Sequence, residues 1–421
     1  MKLMNNVTAM NKRENWLEIL NRLSLSEYLQ DKRNIVDKLL TLQFPTRKTE
    51  AWKYSDLKWL QKTDFSRDFV IDEAFVHRAL EEILTVDLLN LPRIITYNGQ
   101  YLETFSTISL HSNEFSLNKN FKSDWSIPND DFLTALNKVV ENPVLQFNCN
   151  KNFNDQTILC INLGKAETTE KLCFSPKYSF YIEKENKCSV IEINYGKGVY
   201  FANSVHEIEL GRKSKLNYTI INHTLPESYD CSSNYVKLSD HACYQQFLLN
   251  KGSRFSRYEL NIDLAGEWSK ADFDAVQILS GQQHADIASK VVHSVPHCQS
   301  NQNVKNILSD NSHGVYQGKV LVNRLAQKTD AQQQNQALLL SDKAEIDTKP
   351  ELEIYADDVK CSHGAAIGAL DQEQLFFLMS RGISYELARE MLINAFVNES
   401  IEKIEDTLLQ NLLYYYVTAS T

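Results

Sequence analysis

Apolar and polar residues alternate with a period of two through the middle of this chain, from about Pro143 to Ile354. This period is typical of β-strands, whose successive side chains point to opposite faces. Glycines separate the clearest alternating segments, which are Ser189–Tyr195, His206–Leu210, Leu216–Ile221, Tyr258–Leu264, Phe273–Leu279 and Val315–Val322. We expect roughly ten such strands, and an all-β domain, because no helical period lies between them.

Three architectures suit many short strands: a sandwich, a barrel or a parallel β-helix. No clean repeat in the sequence selects one of them. Two-residue hairpin turns are few, and the amide-rich run Gln332–Gln336 suits stacked coils whose side-chain amides form ladders. These features favour a parallel β-helix, whose end coils would offer unpaired backbone to another chain.

Both flanks of the β region have a helical period. In the N-terminal part, apolar residues recur at helical spacing around Trp16–Leu23, Phe75–Ile83 and Asp130–Glu141. The aromatic-rich segment Arg47–Trp59 is expected to pack against the neighbouring domain rather than to bind a ligand. We therefore divide the chain into a mostly helical domain (1–142), a β-helix core (143–365) and a C-terminal helical domain (366–421).

Two helices with clear end signals are predicted near the C-terminus. Asp371 is placed as the N-cap of the first helix and Gly382 ends it, and Ser384 begins the second. The second helix is expected to carry one apolar face made of Leu387, Met391, Leu392, Ala395 and Phe396. Together with Phe376 and Phe377, this is more apolar surface than the contact between the two helices needs. The hairpin is therefore expected either to dock a partner or to pack on the β domain.

Composition and charge exclude several classes of protein. A chain of 421 residues is expected to form two or three domains, and a net charge of -10 disfavours nucleic-acid binding. No apolar run approaches the ~20 residues of a membrane span, and Met1–Asn15 lacks the apolar core of a signal peptide. Eight cysteines without a C-x-x-C pair indicate reduced thiols in the cytoplasm. No phosphate-binding loop occurs, so no ATP site is predicted.

The candidate chemistry lies in Cys361-Ser362-His363-Gly364, just after the last strand-like run, Leu352–Val359. On a strand, residues i and i+2 face the same side with Cα atoms about 6.6 Å apart. A thiolate and an imidazole can then bind one iron, zinc or persulfide species together. A tetrahedral site needs about four ligands, so the others must come from elsewhere in the chain or from a partner. The alternative is a buried cysteine and a hydrogen-bonded histidine at the end of a sheet.

Two segments resemble one known family. Ala356–Gly382 (ADDVKCSHGAAIGALDQEQLFFLMSRG) resembles the C-terminal signature of the SufB/SufD family of the SUF iron–sulfur cluster assembly machinery, in its SufD form. Phe44–Ser55 resembles the P-x-R-x-x-E-x-W-x-Y segment of the same family. The resemblance implies a right-handed parallel β-helix flanked by helices and a non-catalytic scaffold subunit. It implies pairing with SufB and docking of the ATPase SufC, with a homodimer as a further state of the isolated chain.

The resemblance also implies roles for individual residues. His363 would lie at the SufB interface and contribute to the nascent cluster through one ring nitrogen, and Cys361 matches the cysteine of the same motif. Residues for SufC docking would be Phe376, Phe377, Arg381, Gly382, Leu387 and Met391. Iron or a cluster would be bound transiently at the SufB interface rather than stably by the lone chain, and reduced flavin would accompany the whole complex.

Two other functions fit parts of the pattern. One is a SufB-like, cluster-holding paralogue, although this chain has no cysteine before Cys149 and carries the C-S-H-G form. The other is a β-helix carbohydrate-active enzyme, which would leave both terminal motifs unexplained. Co-purification separates these classes, because a scaffold should bring down an ATPase and such an enzyme should come alone.

Overall fold

The computed structural model describes residues 16–25, 37, 39–108, 115–118, 131–139, 144–167 and 169–418. Residues 16–22 are helical, and the longer helices are α1 Glu73–Ile83, α2 Phe132–Val139, α3 Gln372–Ser380, α4 Tyr385–Ile401 and α5 Thr407–Thr418. The strands before residue 200 are β1 Arg93–Tyr97, β2 Gln100–Tyr101, β3 Phe115–Asn118, β4 Val144–Cys149, β5 Gln156–Lys165, β6 Leu172–Phe174, β7 Lys177–Ile182 and β8 Lys187–Lys197. The others are β9 Tyr200–Leu210, β10 Lys215–His223, β11 Tyr229–Leu238, β12 Cys243–Asn250, β13 Phe255–Leu264, β14 Lys270–Leu279, β15 His284–His293, β16 Gln299–Leu308, β17 His313–Val322, β18 Asp330–Leu339, β19 Glu345–Ile354 and β20 Lys360–Ala369.

The strands form a parallel β-solenoid of about eight turns, which confirms the predicted fold class. Consecutive strands alternate between two sheets, so each coil adds one strand to each sheet. Sheet I has the order β2-β1-β5-β8-β10-β12-β14-β16-β18-β20, and sheet II has the order β19-β17-β15-β13-β11-β9-β7-β4-β3. Every strand predicted from the alternation is present. The region predicted to be mostly helical also contains β1, β2 and β3, and the three-domain division stays a prediction.

One residue in each coil turns the chain in the left-handed region at the same corner, with φ between 57° and 63°. These residues are Asp155, Glu185, Lys213, His241, Trp268, His297 and Lys328. The Trp268 ring stacks on the His297 ring with centroids 4.1 Å apart, and on the His241 ring at 6.4 Å. His293 is buried, with its Nε2 2.8 Å from the Ser300 hydroxyl. His293 and His297 therefore both have partners within the solenoid.

Amide ladders run along the solenoid inside sheet I. Asn162 and Asn194 each donate to the next amide at 2.8 Å, so the first ladder ends on Asn222. A second ladder joins Asn250, Gln277, Asn306 and Asn335 at 3.2, 2.8 and 2.9 Å. The expected laddering of the amide-rich run is thus realised by Asn335, whereas Gln332 and Gln334 point outward and are exposed.

The helices and the N-terminal segment cover the outer faces of the two sheets. α1 and α5 pack on sheet I through a shared apolar cluster that includes Phe75, Ile193 and Tyr416. The Arg47–Trp59 segment packs on sheet II. Trp52 stacks on the Arg257 guanidinium at 3.9 Å, and Trp59 stacks on the Tyr229 ring. This confirms the predicted aromatic packing.

Two expectations concern residues that the structure does not describe in full. Met1–Asn15 and the ends of the predicted helix Asp130–Glu141 lie outside the described residues. The side chain of His284 contacts the N-terminal segment: its Nε2 lies 2.7 Å from the Ser55 hydroxyl, and burial lowers its pKa to about 4. No helix within the described ranges is long and apolar enough to cross a membrane.

Candidate functional site

The solenoid is open at its C-terminal end. β20 is the last strand of sheet I and pairs only with β18, and β19 is the last strand of sheet II and pairs only with β17. Among the residues that the structure describes, each of the two therefore has one edge whose backbone N–H and C=O groups have no neighbouring strand. Such an edge is a template for pairing with another polypeptide.

Cys361 and His363 lie within β20. They were expected to follow the last strand, which was predicted around Leu352–Val359. That expectation is wrong, because β19 ends at Ile354 and both residues lie in one further strand, β20. The register pairs Cys361 with Ala331 and His363 with Gln333 of β18. Ala331 and Gln333 are both buried and face the interior. Cys361 and His363 therefore share the interior-facing side of the last coil, as two residues i and i+2 on a strand should.

His363 and Cys361 are both more exposed than residues in a closed core would be. The side chain of His363 is exposed, because no further coil covers the interior at this end. Cys361 is partly buried and packs on a small apolar cluster with Ala331 and Ala356. A buried cysteine beside a sealed histidine, the alternative from the sequence, is not what this end of the solenoid contains.

The electrostatics of the thiol favour its protonated form in the free chain. Burial, together with the nearby Asp330 carboxylate, raises the pKa of the Cys361 thiol above its usual value. A thiol binds metal as the thiolate, so ligation by Cys361 would release a proton. His363 presents an imidazole at the same end of the solenoid, and an imidazole is a suitable ligand for iron.

The ligand set at this end is incomplete. Across the ranges that the structure describes, no three His, Cys, Asp or Glu side chains lie close enough to hold a metal ion together. Cys361 and His363 could thus supply two of the about four ligands of a tetrahedral site.

Directly after β20, the chain forms the predicted helical hairpin. The Asp371 carboxylate accepts hydrogen bonds from the backbone N–H groups of Glu373 and Gln374, which caps α3. Gly382 follows α3 with φ of 89°, a conformation that suits glycine, and the Ser384 hydroxyl caps α4 by accepting from Leu387 N–H. The end signals read from the sequence are therefore confirmed.

Of the apolar face predicted for α4, Leu387, Met391 and Ala395 are exposed and Leu392 and Phe396 are partly buried, so this face packs on the β domain only in part. The buried face consists of Ala388, Ile393, Val397 and Ile401, and Ser400 bonds Asn303 of sheet I at 3.2 Å. The other apolar side is left uncovered because the helix lies on the sheet through its C-terminal half. We define the hairpin patch as Phe376, Phe377, Met379, Tyr385, Leu387 and Met391, which are all between 43% and 74% exposed.

Residues proposed for partner docking lie at this patch. Phe376 is 74% exposed and Phe377 is 53% exposed, and the Arg381 guanidinium lies over the Phe377 ring at 4.2 Å. Single exposed apolar residues are common, but six large ones within one hairpin are a concentration of exposed apolar surface that is typical of interaction sites. Leu387, Met391 and Gly382 belong to the same hairpin.

Sequence reasoning missed a buried polar cluster inside the solenoid. The Glu192 carboxylate lies 3.2 Å from His206 Nε2 and accepts hydrogen bonds from Tyr218 and Asn194. Burial favours the neutral acid, but His206, Tyr218 and Asn194 outweigh it and lower the pKa of Glu192. The period-two pattern places Glu192 on the interior face with Val190, which is the only signal that could have found it.

The structure thus combines a parallel solenoid, an end strand that carries Cys361 and His363, and a hairpin with exposed apolar side chains beside it. Comparison with known proteins gives the family. Residues 166–396 match the family model described as "SUF system FeS cluster assembly, SufBD core domain". The chain belongs to the SufBD family of iron–sulfur cluster assembly proteins.

Similar proteins extend over most of the chain. An iron–sulfur cluster assembly SufBD family protein of Synechocystis is 30% identical over 419 residues, which covers 93% of this chain and 90% of that protein. The iron–sulfur cluster assembly protein SufD of Escherichia coli is 28% identical over 376 residues, which covers 88% of each chain. The likeness therefore includes the terminal helical regions as well as the solenoid.

Proposed function

We propose that this chain is a non-catalytic scaffold subunit of a cytoplasmic SUF complex, and that its open end forms part of the site where an iron–sulfur cluster is built. In this proposal β19 and β20 pair with the end coil of a SufB-type chain. His363 binds iron, Cys361 lies beside it, and the partner supplies the remaining ligands. Iron and sulfide are the cargo of this site.

One observation carries the proposal: an exposed imidazole and a half-buried thiol share one face of an edge strand that has no further coil above it. Two ligands at an unpaired edge suit a site that is completed when another polypeptide pairs there. A histidine with only a structural role would be expected to have buried partners, as His293 and His284 have.

The hairpin patch supports the second contact, with a SufC-type ATPase. Phe376 and Phe377 are exposed, whereas Leu375 of the same helix is buried and holds α3 in place. The hairpin directly follows β20 in the chain, so movement of a docked ATPase would act on the last coil through a short connection. In the absence of a SufB-type chain, the same open end could pair with a second copy of this chain. Reduced flavin, if present, would belong to the whole complex.

Co-expression with SufB-type and SufC-type chains tests the proposal. We expect His363→Ala to leave the three chains together on a column but to lower the iron and sulfide that the complex acquires. Ser362→Ala is the matched control, because Ser362 is exposed on the same strand and points to the opposite side. Unchanged iron and sulfide in the His363→Ala complex would contradict the proposed site. A chain that purifies without an ATPase would contradict the proposed contact with a SufC-type protein.

A further inference from the structure

A cavity of about 320 Å³ lies between α4 and the outer face of sheet I. Its charged lining groups are Lys251, which directly follows β12, and Arg389 of α4. Among the residues that the structure describes, no carboxylate lines this cavity. The apolar part of its wall consists of Ile278, Leu279, Ile307, Leu340 and Ile393. The cavity is therefore aliphatic over most of its wall and positive in its charge.

Both cations of this cavity are partly buried, and neither forms an ion pair with any residue in the described ranges. Burial lowers the pKa of Lys251 to about 8, and no carboxylate counteracts this effect. Other lysines at the contact between sheet I and the helices do have a carboxylate partner, in the pairs Lys165–Asp72, Lys305–Glu399 and Lys403–Asp274. Charges that are withdrawn from water are normally paired, so two unpaired cations in one cavity indicate an absent anion.

We propose that this cavity binds a small organic anion, whose carboxylate or phosphate head lies between Lys251 and Arg389 and whose aliphatic body lies on the apolar wall. A guanidinium can hold such a head through two parallel hydrogen bonds, and an ammonium group adds a point charge. The exposed hydroxyl of Ser280, which also lines the cavity, is a further donor.

The size and lining of the cavity suit a ligand of this kind. Its volume is at the lower end of the range for small-molecule sites, which are mostly apolar with a few placed polar groups. The inference uses none of the residues of the proposed cluster site and does not depend on it.

Four probes separate the contribution of the head from that of the body. Hexanoate and hexyl phosphate each join an anionic head to an aliphatic body, whereas inorganic phosphate tests the head alone and hexanol tests the body alone. Binding to the full chain is measured by isothermal titration calorimetry with wild type, Lys251→Met, Arg389→Met and Lys343→Met. Lys343 is the matched control, because it is exposed and does not line the cavity. The thermal midpoint of each unliganded chain is measured separately.

We expect wild type to bind hexanoate, hexyl phosphate or both with a dissociation constant of about 1 mM or lower. Each of Lys251→Met and Arg389→Met removes a hydrogen bond to a charged group, which should weaken binding by about 10- to 100-fold. Lys343→Met should bind as wild type does, and inorganic phosphate and hexanol should bind more weakly than the whole probes. The unliganded midpoint of Lys251→Met should stay the same or rise, since its ammonium group has no partner to lose.

Four results would overturn the inference. Neither anionic probe binds wild type, or a probe binds both cavity variants as tightly as wild type and so lies elsewhere, for example on the hairpin patch. Hexanol binds as tightly as the anionic probes, which would leave the cations without a role, or inorganic phosphate does so, which would leave the apolar wall without one. Should Lys251→Met lower the midpoint of the unliganded chain, Arg389→Met carries the test, and wild-type binding in that variant overturns the inference.

Discussion

Arg257, which holds the Arg47–Trp59 segment on sheet II, gives the strongest stability prediction. The Arg257 side chain is 1% exposed and bonds two carboxylates, Glu259 at 2.6 Å and Asp286, whose side chains are 11% and 0% exposed. It also donates to the Ala51 carbonyl at 2.9 Å and stacks on Trp52 at 3.9 Å. Arg257→Met keeps much of the volume but leaves both carboxylates without their cation.

Removing one partner of a buried ion pair costs about 3–5 kcal/mol, because the remaining charge is uncompensated. We therefore expect Arg257→Met to lower the free energy of unfolding by about that amount. The matched control is Lys319→Met, which breaks a pair with Glu353 at 2.6 Å. Both side chains of that pair are roughly a third to a half exposed, at 32% and 44%, so its loss should cost at most about 1 kcal/mol.

The cost should depend on pH in a defined direction. Burial, with a contribution from Asp131, raises the pKa of Glu259 to about 7 even with Arg257 present. Without the guanidinium the pKa of Glu259 rises further. An acid whose pKa is raised by folding adds stability at low pH and loses it as pH rises through the folded pKa. The deficit of Arg257→Met should therefore be larger at about pH 8 than at about pH 5.5.

Urea denaturation of both variants and the wild type at the two pH values measures this. Proteolysis of the native variant should also begin sooner near Ala51, because two of the contacts that hold this segment come from Arg257. If Arg257→Met lowers the free energy of unfolding by less than about 1 kcal/mol, or if its loss increases as the pH is lowered, the reasoning about the buried carboxylates is refuted.

Three further predictions concern other parts of the molecule. Phe376→Ser combined with Phe377→Ser should change the unfolding free energy by less than about 0.5 kcal/mol but abolish co-purification of the ATPase; retained ATPase would contradict the role of the patch. Asn306→Leu should cost about 1–3 kcal/mol in thermal unfolding, because Gln277 loses its acceptor in the amide ladder, and an unchanged midpoint would count against the ladder. Burial raises the pKa of Asp230 to about 7, so Asp230→Asn should gain stability over wild type as pH rises from about 4 to about 7, and equal pH profiles would exclude this.

The strands could be predicted from the sequence because each of them packs one side in the solenoid interior. A strand with a packed interior side alternates, so segments such as Ser189–Tyr195 were found, and the caps Asp371 and Ser384 were found from their side-chain chemistry. The coil repeat was not visible. Its corners use Glu185, Lys213 and other residues that vary from one coil to the next, so no fixed residue marks the period.

Cys361 and His363 were chosen from the sequence as candidate residues, but the strand that carries them was not predicted. β20 has the sequence KCSHGAAIGA, in which small residues hide the alternation, and only its pairing with β18 defines it as a strand. The spacing of Leu387 and Met391 indicated an apolar face, but apolar spacing does not say whether a face is covered.

Iron binding by His363 at an interface with a second chain can be measured directly. Pulsed EPR of the reconstituted complex detects it when only this chain carries ¹⁵N-histidine and the cluster is reduced to a paramagnetic state. We expect a hyperfine coupling from one imidazole nitrogen that disappears in His363→Ala. The absence of such a coupling in the wild-type complex, or its persistence in His363→Ala, would show that His363 is not an iron ligand.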